Sequence, residues 1–369
     1  MINFVQKIKF FTLFLIVFYL STNVSFAFTS KAEKMFGQKI MLGLGKDSNF
    51  NKVLKYAKKG KIGGIILFER DIKSRLDLLE KTSKIKNLKG IPLFIAVDQE
   101  GGYVQRMSAR NGFKDYKSAK EISNVNPHNA YIQYKLMATE LHFYGININF
   151  MPCVDLIIDE NSILNKNERA YSSDPDVVSK YAKEAIKAHN ENKVITSLKH
   201  FPGHGSISGD THKGFVDVSE TWSEIELEPF KKLANLNNLQ TVMMAHVFNK
   251  NIDENYPASL SKKTTSILRE FFDGVIVTDD LDMKAIKDNY NLQDVIVNAI
   301  NADVDILLFS NYEEDVDLDR IYEIYNNALK NGTIKKEQVE KSFNRIIELK
   351  KALYWFIFSK ICSFNFNAG

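Results

Sequence analysis

The sequence of 369 residues has few of the residues that mark disulfide-rich or linker-joined proteins. Its two cysteines, Cys153 and Cys362, are too few for a disulfide framework. A single bond between them is an alternative, but Cys153 lies inside an apolar run, where a thiol usually acts as a small buried hydrophobic group. The sequence has no short-period repeat and no Pro/Gly/Ser-rich linker, so nothing in it marks a second domain.

Long blocks of one charge sign are also missing. The chain has 49 lysines and arginines against 45 aspartates and glutamates, a formal net charge of +4, and the two signs are interspersed. Nucleic-acid-binding proteins usually concentrate basic residues on one face or along one helix. We therefore expect no nucleic-acid partner.

Only one long apolar run occurs near the N-terminus, "FFTLFLIVFYL" at 10–20, and two lysines precede it. The small residues Ser25 and Ala27 follow at the spacing of a cleavage site, so we predict that 1–27 form a secretory signal peptide. The protein would then act outside the cytoplasmic membrane, in the periplasm or extracellularly. The alternative is an uncleaved segment that tethers the protein to the membrane. No cysteine follows the run to carry a lipid.

Short apolar runs alternate with longer amphipathic stretches through the rest of the chain. Eight runs of this kind occur, at 40–45, 63–68, 91–99, 146–156, 194–201, 240–247, 273–280 and 302–310. Continuous apolar strands alternating with helices are typical of a parallel sheet covered on both faces. We predict an α/β fold, a single (β/α)8 TIM-type barrel over 28–353, with a doubly wound open sheet as the alternative. A closing helix is predicted at 335–353, and the apolar tail 354–369 has no assigned role.

Polar residues collect at the C-terminal ends of five successive runs, where barrel enzymes place their catalytic groups. Any one of them is an ordinary residue for a solvated strand end. Five consecutive strands with this pattern predict an active site on that rim. The residues are Asp98, Gln99, Glu100 and Arg106, then Asp155, Lys199 and His200, then His246, and finally Asp279 and Asp280.

The stretch "SLKHFPGHGSISGDTHKGF" at 197–215 holds three of the seven histidines and four glycines. One interpretation is a metal hydrolase with His200, His204, Asp210 and His212 as ligands, because such side chains suit zinc. Their spacing matches no helical metal motif, however. The alternative is that these residues serve proton transfer and substrate binding on a glycine-hinged loop.

The motifs taken together resemble one family. "KHFPGHG" followed by "DTH" is the most specific, and "GGIILF", "VDQEGGYVQRM", "ERAYSSDP", "MMAHV" and "DGVIVTDDLDM" support it in order. The chain from about 34 to 353 resembles the single-domain β-N-acetylglucosaminidases (β-hexosaminidases) of glycoside hydrolase family 3, of the peptidoglycan-recycling type. This resemblance implies a retaining enzyme that removes non-reducing terminal GlcNAc through a covalent glycosyl-aspartate. It implies no metal or other cofactor. We expect a monomer.

The resemblance also implies roles for individual residues. Asp279 matches the nucleophile, and Asp210 and His212 match a dyad in which the carboxylate orients a histidine that acts as acid and base. Five further residues match substrate contacts: Asp98, Arg106, Arg169, Lys199 and His200. The sequence departs from the family at Tyr103, where an arginine is usual, and in the residues before Arg169.

Three other functions stay open at this stage. A phosphorolytic enzyme would use phosphate in place of water. This function stays open because a histidine acid tolerates an anionic acceptor better than a carboxylate would. A family 3 β-glycosidase could act on another sugar. A non-catalytic muropeptide-binding protein is disfavoured, because a binding protein needs neither Asp279 nor the "DTH" dyad.

Overall fold

The computed structural model describes residues 31–353 except 46, 208–213, 235, 237–239 and 313. The predicted signal peptide, the apolar tail with Cys362, and the dyad Asp210 and His212 therefore lie outside the described residues. Within the described part of the chain, no helix has the length and apolar character needed to cross a bilayer.

Eight parallel strands form one sheet, and each lies inside one of the eight apolar runs. They are β1 (Ile40–Leu42), β2 (Gly64–Ile66), β3 (Phe94–Val97), β4 (Ile148–Asn149), β5 (Ile195–Phe201), β6 (Gln240–Met244), β7 (Val275–Thr278) and β8 (Leu307–Phe309). Their order is β8-β1-β2-β3-β4-β5-β6-β7, and a parallel bridge from Val277 to Ile306 joins the two ends. The sheet is thus a nearly closed barrel, which confirms the predicted fold and excludes the open sheet.

Helices follow the strands and cover the outside of the barrel. They are α1 (Phe50–Lys58), α2 (Arg75–Lys86), α3 (Ala119–Ser123), α4 (Pro127–Phe143), α5 (Ile163–Lys166), α6 (Pro175–Glu191), α7 (Glu228–Leu233), α8 (Lys262–Arg269), α9 (Lys284–Lys287), α10 (Leu292–Asn301), α11 (Leu318–Lys330) and α12 (Lys336–Leu353). Local chemistry sets their starts. Asn126 and Asp174 cap α4 and α6 through their side chains, and a proline occupies the first turn of each helix.

The last helix closes the N-terminal end of the barrel. Ile346, Leu349 and Leu353 of α12 join the apolar cluster inside the sheet. Nζ of Lys350 donates to the carbonyl of Gly63 and to the side chain of Gln38, both at 2.8 Å. Since both acceptors precede barrel strands, α12 blocks this end and leaves the C-terminal rim as the open one.

Buried ion pairs at the same end fix α12 to the sheet. Asp305, just before β8, accepts hydrogen bonds from Arg345 of α12 at 2.7 and 2.9 Å and from Arg269 of α8 at 2.8 Å. Asp303 pairs with the same two arginines. Each of these four charged groups has an opposite charge beside it, so removing any one would leave another uncompensated.

Candidate active site

Asp98, directly after β3, contacts two cations. Its Oδ1 lies 3.2 Å from the Lys199 ammonium and its Oδ2 lies 3.3 Å from Nη2 of Arg106. Burial alone would raise the pKa of Asp98, but the charges of Lys199 and Arg106 outweigh it and hold the pKa below its usual range. Asp98 is therefore an ionised hydrogen-bond acceptor at neutral pH.

Glu100 lies at the centre of this group of charged residues, although the sequence pattern placed it on the rim without an individual role. Arg169 donates to both of its carboxylate oxygens, at 2.8 and 3.0 Å, and the Lys199 ammonium lies 2.6 Å from Oε1. Burial opposes ionisation of Glu100, but the charges of Arg169 and Lys199 prevail, so its pKa lies well below its usual range. Burial likewise opposes the charge of Lys199, yet Glu100 and Asp98 raise its pKa. The rim pattern included Glu100 but could not show its pairing with Arg169 and Lys199, because these partners are 69 and 99 residues away in sequence.

His200, at the end of β5, is oriented by Asp155 after β4. Asp155 accepts from Nδ1 of His200 at 2.7 Å, and from the backbone N–H groups of His200 and His204. Burial would raise the pKa of Asp155, but the interactions with His200 outweigh it and lower the pKa to about 2. The other ring nitrogen of His200 then lies 3.4 Å from Nη2 of Arg169. The sequence placed Asp155 on the rim without showing that it orients His200.

Asp279 follows β7, on the opposite side of the barrel from β3. Its backbone N–H donates to the carbonyl of Met244 at 2.9 Å, and its Oδ1 accepts from the N–H of Asp280 at 2.8 Å. Burial lowers the pKa of His204 to about 4, and the charge of Asp279 is among those that oppose this shift. Asp279 thus acts electrostatically on the histidine loop after β5.

The carboxylate of Asp280 organises the loop after β7. Its carboxylate accepts from the N–H of Ser310 at 2.8 Å and from that of Asp282 at 3.1 Å. Its carbonyl lies 2.8 Å from Nε2 of His246. These contacts give Asp280 and His246 structural roles in this loop.

The structure therefore joins five predicted substrate residues into one cluster with two residues that the sequence did not assign. Asp98 contacts Arg106 and Lys199, and Arg169 contacts His200. Glu100 joins these two groups through Lys199 and Arg169, and Asp155 contacts His200. Asp279 lies on the same rim. Tyr103, the departure from the family pattern, is 75% exposed and is not part of this cluster.

The loop after β5 is anchored at its base by residues from the chain that follows it. Trp222 donates from its indole N–H to the carbonyl of Pro202 at 3.0 Å. Glu226, which is buried, accepts from the N–H of Gly205 at 2.9 Å. Gly205 packs so closely on the carbonyl of Leu156 that a β-carbon would collide with it. These contacts hold Pro202 and Gly205, at the start of the loop, in place.

We predict that Glu226 makes stability fall as pH rises from about 4.5 to about 7. Burial raises its pKa from 4.5 to about 7. Between these values the folded protein holds a proton that the unfolded chain has released, so unfolding becomes easier as pH increases. In Glu226→Gln this decline, roughly 1 to 3 kcal/mol between pH 5 and 7.5, should largely disappear. Urea unfolding at both pH values measures it, with the partly exposed Glu228→Gln as control. An unchanged slope in Glu226→Gln would show that another group titrates.

Comparison with known proteins assigns the chain to a family. The family model described as "Glycosyl hydrolase family 3 N terminal domain" matches residues 33–349. The chain belongs to glycoside hydrolase family 3. A β-hexosaminidase of Nitrosomonas eutropha is 33% identical over 268 residues, which are 69% of this chain and 76% of that relative. A β-hexosaminidase of Shewanella frigidimarina is 35% identical over 263 residues, 68% of this chain and 75% of that relative.

Solved structures agree with this family 3 assignment. A family 3 β-N-acetylglucosaminidase from Paenibacillus sp. str. FPU-7 superposes with a TM-score of 0.78 at 28% identity. The match covers 87% of this chain and 62% of the Paenibacillus chain, so the present chain spans less than two thirds of that protein. The predicted family, barrel fold and glycoside hydrolase class are confirmed. The individual site residues stay predictions.

Proposed function

We propose that this family 3 protein is a retaining exo-β-N-acetylglucosaminidase that removes terminal GlcNAc from β-linked oligosaccharides. One observation carries the proposal: the paired charges of Asp98, Lys199, Glu100 and Arg169 form a preorganised polar cluster on the same rim as Asp279. The β-hexosaminidase names of the relatives support the choice of sugar.

The cluster is suited to hold sugar hydroxyl groups. Asp98 stays ionised and accepts hydrogen bonds, while Arg106, Lys199 and Arg169 donate them. A hydroxyl bound between a carboxylate and a cation has both its proton and its lone pairs satisfied. Since these groups already pair with one another, they need little reorganisation when a sugar binds.

The chemical steps follow from the proposed roles of Asp279 and His212. Asp279 attacks the anomeric carbon and forms the C–O bond of a glycosyl-aspartate as the bond to the leaving oxygen breaks. His212, oriented by Asp210, gives its proton to that oxygen. Water then attacks the anomeric carbon, His212 takes a proton from it, and Asp279 is released. Two inversions give retention.

We further propose that the protein acts as an exported monomer on peptidoglycan fragments. The N-terminal apolar run with its small residues supports export, and an uncleaved run would tether the protein to the membrane. The chain carries no polybasic block that suggests a nucleic-acid partner. Export places it beside wall material, which supports a muropeptide substrate over an internal metabolite.

Turnover of a chromogenic N-acetyl-β-glucosaminide, compared with the matching β-glucoside, tests the proposal. We expect the first to be hydrolysed at least about tenfold faster in kcat/KM, because the acetamido group contributes binding energy. Equal rates, or a preference for the glucoside, would contradict the GlcNAc assignment. Added phosphate distinguishes phosphorolysis by forming a sugar phosphate, and a chelator that abolished turnover would favour a metal hydrolase.

We predict that removing one member of the charged cluster reduces catalysis without unfolding the barrel. Lys199→Ala, His200→Ala, Asp98→Ala or Arg169→Ala should each cost about 2 to 4 kcal/mol of transition-state stabilisation, since a buried partner loses its counterpart. The measurement is kcat/KM, with thermal unfolding to confirm the fold. Lys250→Ala, at an exposed ion pair with Glu220, is the matched control and should change neither. Wild-type kinetics in two or more cluster variants would place the sugar elsewhere.

A further inference from the structure

Three potential metal ligands lie close together beside the charged cluster. Cys153 and Asp155 are two residues apart on an extended segment after β4, so their side chains point to the same side. A parallel bridge between Cys153 and Lys199 places this segment beside the end of β5, next to His200. Sγ of Cys153 lies 3.2 Å from Oδ2 of Asp155, and Nδ1 of His200 lies 2.7 Å from the same oxygen.

The three potential ligand atoms are close enough to one another to share one ion. One ligand atom from each of Cys153, Asp155 and His200 lies within 4.8 Å of the others, and all three residues are buried. Zinc bonds to sulfur at about 2.3 Å and to nitrogen or oxygen at about 2.0 to 2.2 Å, so one ion reaches all three atoms with small shifts. This set differs from His200, His204, Asp210 and His212, which the sequence suggested as metal ligands.

We propose that Cys153, Asp155 and His200 form a site for a thiophilic divalent cation, of the zinc or cadmium type, that inhibits the enzyme when occupied. A thiolate and an imidazole select soft or borderline cations over Mg²⁺ or Ca²⁺. The three protein ligands leave a fourth position for water.

Cation binding requires that two protons leave the ligand atoms. In the free protein the thiol of Cys153 and Nδ1–H of His200 both donate to Asp155. The cation takes the place of these two protons. Cys153 releases its proton to solvent and the proton of His200 moves from Nδ1 to Nε2, so one proton is released per ion.

Inhibition follows from where two of the ligands lie. His200 retains a small exposed fraction on the rim and contacts Arg169, while Asp155 fixes the loop after β5 through the N–H of His204. An ion on Nδ1 puts a proton on Nε2, which then faces the guanidinium donor of Arg169 and breaks that contact. This inhibitory step rests on the proposed function, whereas cation binding does not.

Cadmium absorption measures binding without a substrate. In Cys362→Ser, Cys153 is the remaining thiol, and titration with CdCl₂ should give thiolate-to-cadmium ultraviolet absorption that saturates at one equivalent. Cys153→Val in the same background keeps the size of the side chain and should give no such absorption. A silent titration in Cys362→Ser overturns the proposal, whatever sugar the enzyme uses.

Inhibition by ZnCl₂ completes the test. Each protein is assayed with a chromogenic glycoside that it accepts, and its activity is expressed relative to its own uninhibited rate. The half-inhibitory concentration of ZnCl₂ should then be about tenfold or more higher in Cys153→Val than in the protein that keeps Cys153. The half-inhibitory concentration of Cys153→Ser, which keeps a weak oxygen ligand, should lie between that of the protein with Cys153 and that of Cys153→Val. Equal inhibition of all three proteins would place the inhibitory ion elsewhere and overturn the proposal.

Discussion

Asp279→Ala should lose turnover by a factor of about 10⁴ or more while the barrel stays folded. The loss is large because no other group can form the covalent intermediate, and water would have to attack the sugar directly. The fold should persist because Asp279 is held through its backbone N–H to Met244, a contact that alanine keeps. Single-turnover kinetics on an aryl glycoside, with circular dichroism and thermal unfolding, measure both effects.

A 5-fluoro glycosyl donor that keeps the 2-acetamido group identifies the nucleophile directly. The fluorine destabilises the charged transition state of both steps, so the glycosyl-enzyme accumulates, and peptide mapping should place the label on Asp279. The adjacent carboxylate is the matched control. Because Asp280 accepts from the N–H groups of Ser310 and Asp282, Asp280→Ala should lower the unfolding temperature as well as activity. A label on Asp280 would reverse the assignment.

The barrel was predictable because its strands are buried on both faces. Such strands appear as continuous apolar runs, and all eight runs contain a strand of the sheet. The apolar runs did not predict where each strand ends. The run at 146–156, for example, contains only two residues of regular strand, Ile148 and Asn149. Its remainder is the segment that brings Cys153 and Asp155 to the rim, where irregular backbone serves the site more than the sheet.

Pairing partners were not predictable, because they depend on closure of the barrel. Glu100 meets Arg169 across 69 residues, and Asp155 meets His200 across 45. No local pattern encodes such contacts, although the rim rule did place each carboxylate on the correct edge. The burial of Lys350 under the barrel was also hidden, since a lysine in an amphipathic helix ordinarily indicates its solvated face.

His212→Ala should slow turnover by an amount that depends on the leaving group. A disaccharide needs its leaving oxygen protonated, so its hydrolysis should fall by about 10²- to 10⁴-fold. The leaving group of a dinitrophenyl glycoside departs as a stable anion and needs no proton. This substrate should therefore form the glycosyl-enzyme at nearly the wild-type rate. Rapid mixing with both substrates measures the difference.

The second half of the reaction gives an independent readout. Without His212 no base activates water, so the covalent intermediate should accumulate, and a burst of phenol should precede a slow steady state. Azide needs no base and should restore turnover by forming the β-glycosyl azide. Asp210→Asn should be milder. Losing the carboxylate lowers the pKa of the imidazole, so the alkaline limb of the pH profile, where the acid loses its proton, should move to lower pH.

The competing role for His212 is to hold the loop in place, and the two roles predict different patterns. A misplaced loop would weaken every contact that the loop makes, so the loss would be uniform across leaving groups and azide would not restore turnover. Glu226 offers a comparison, because it fixes the base of the same loop through Gly205 without reaching the chemistry. Glu226→Ala should therefore show the uniform pattern. If His212→Ala showed it too, the proton donor would have to be sought outside the dyad.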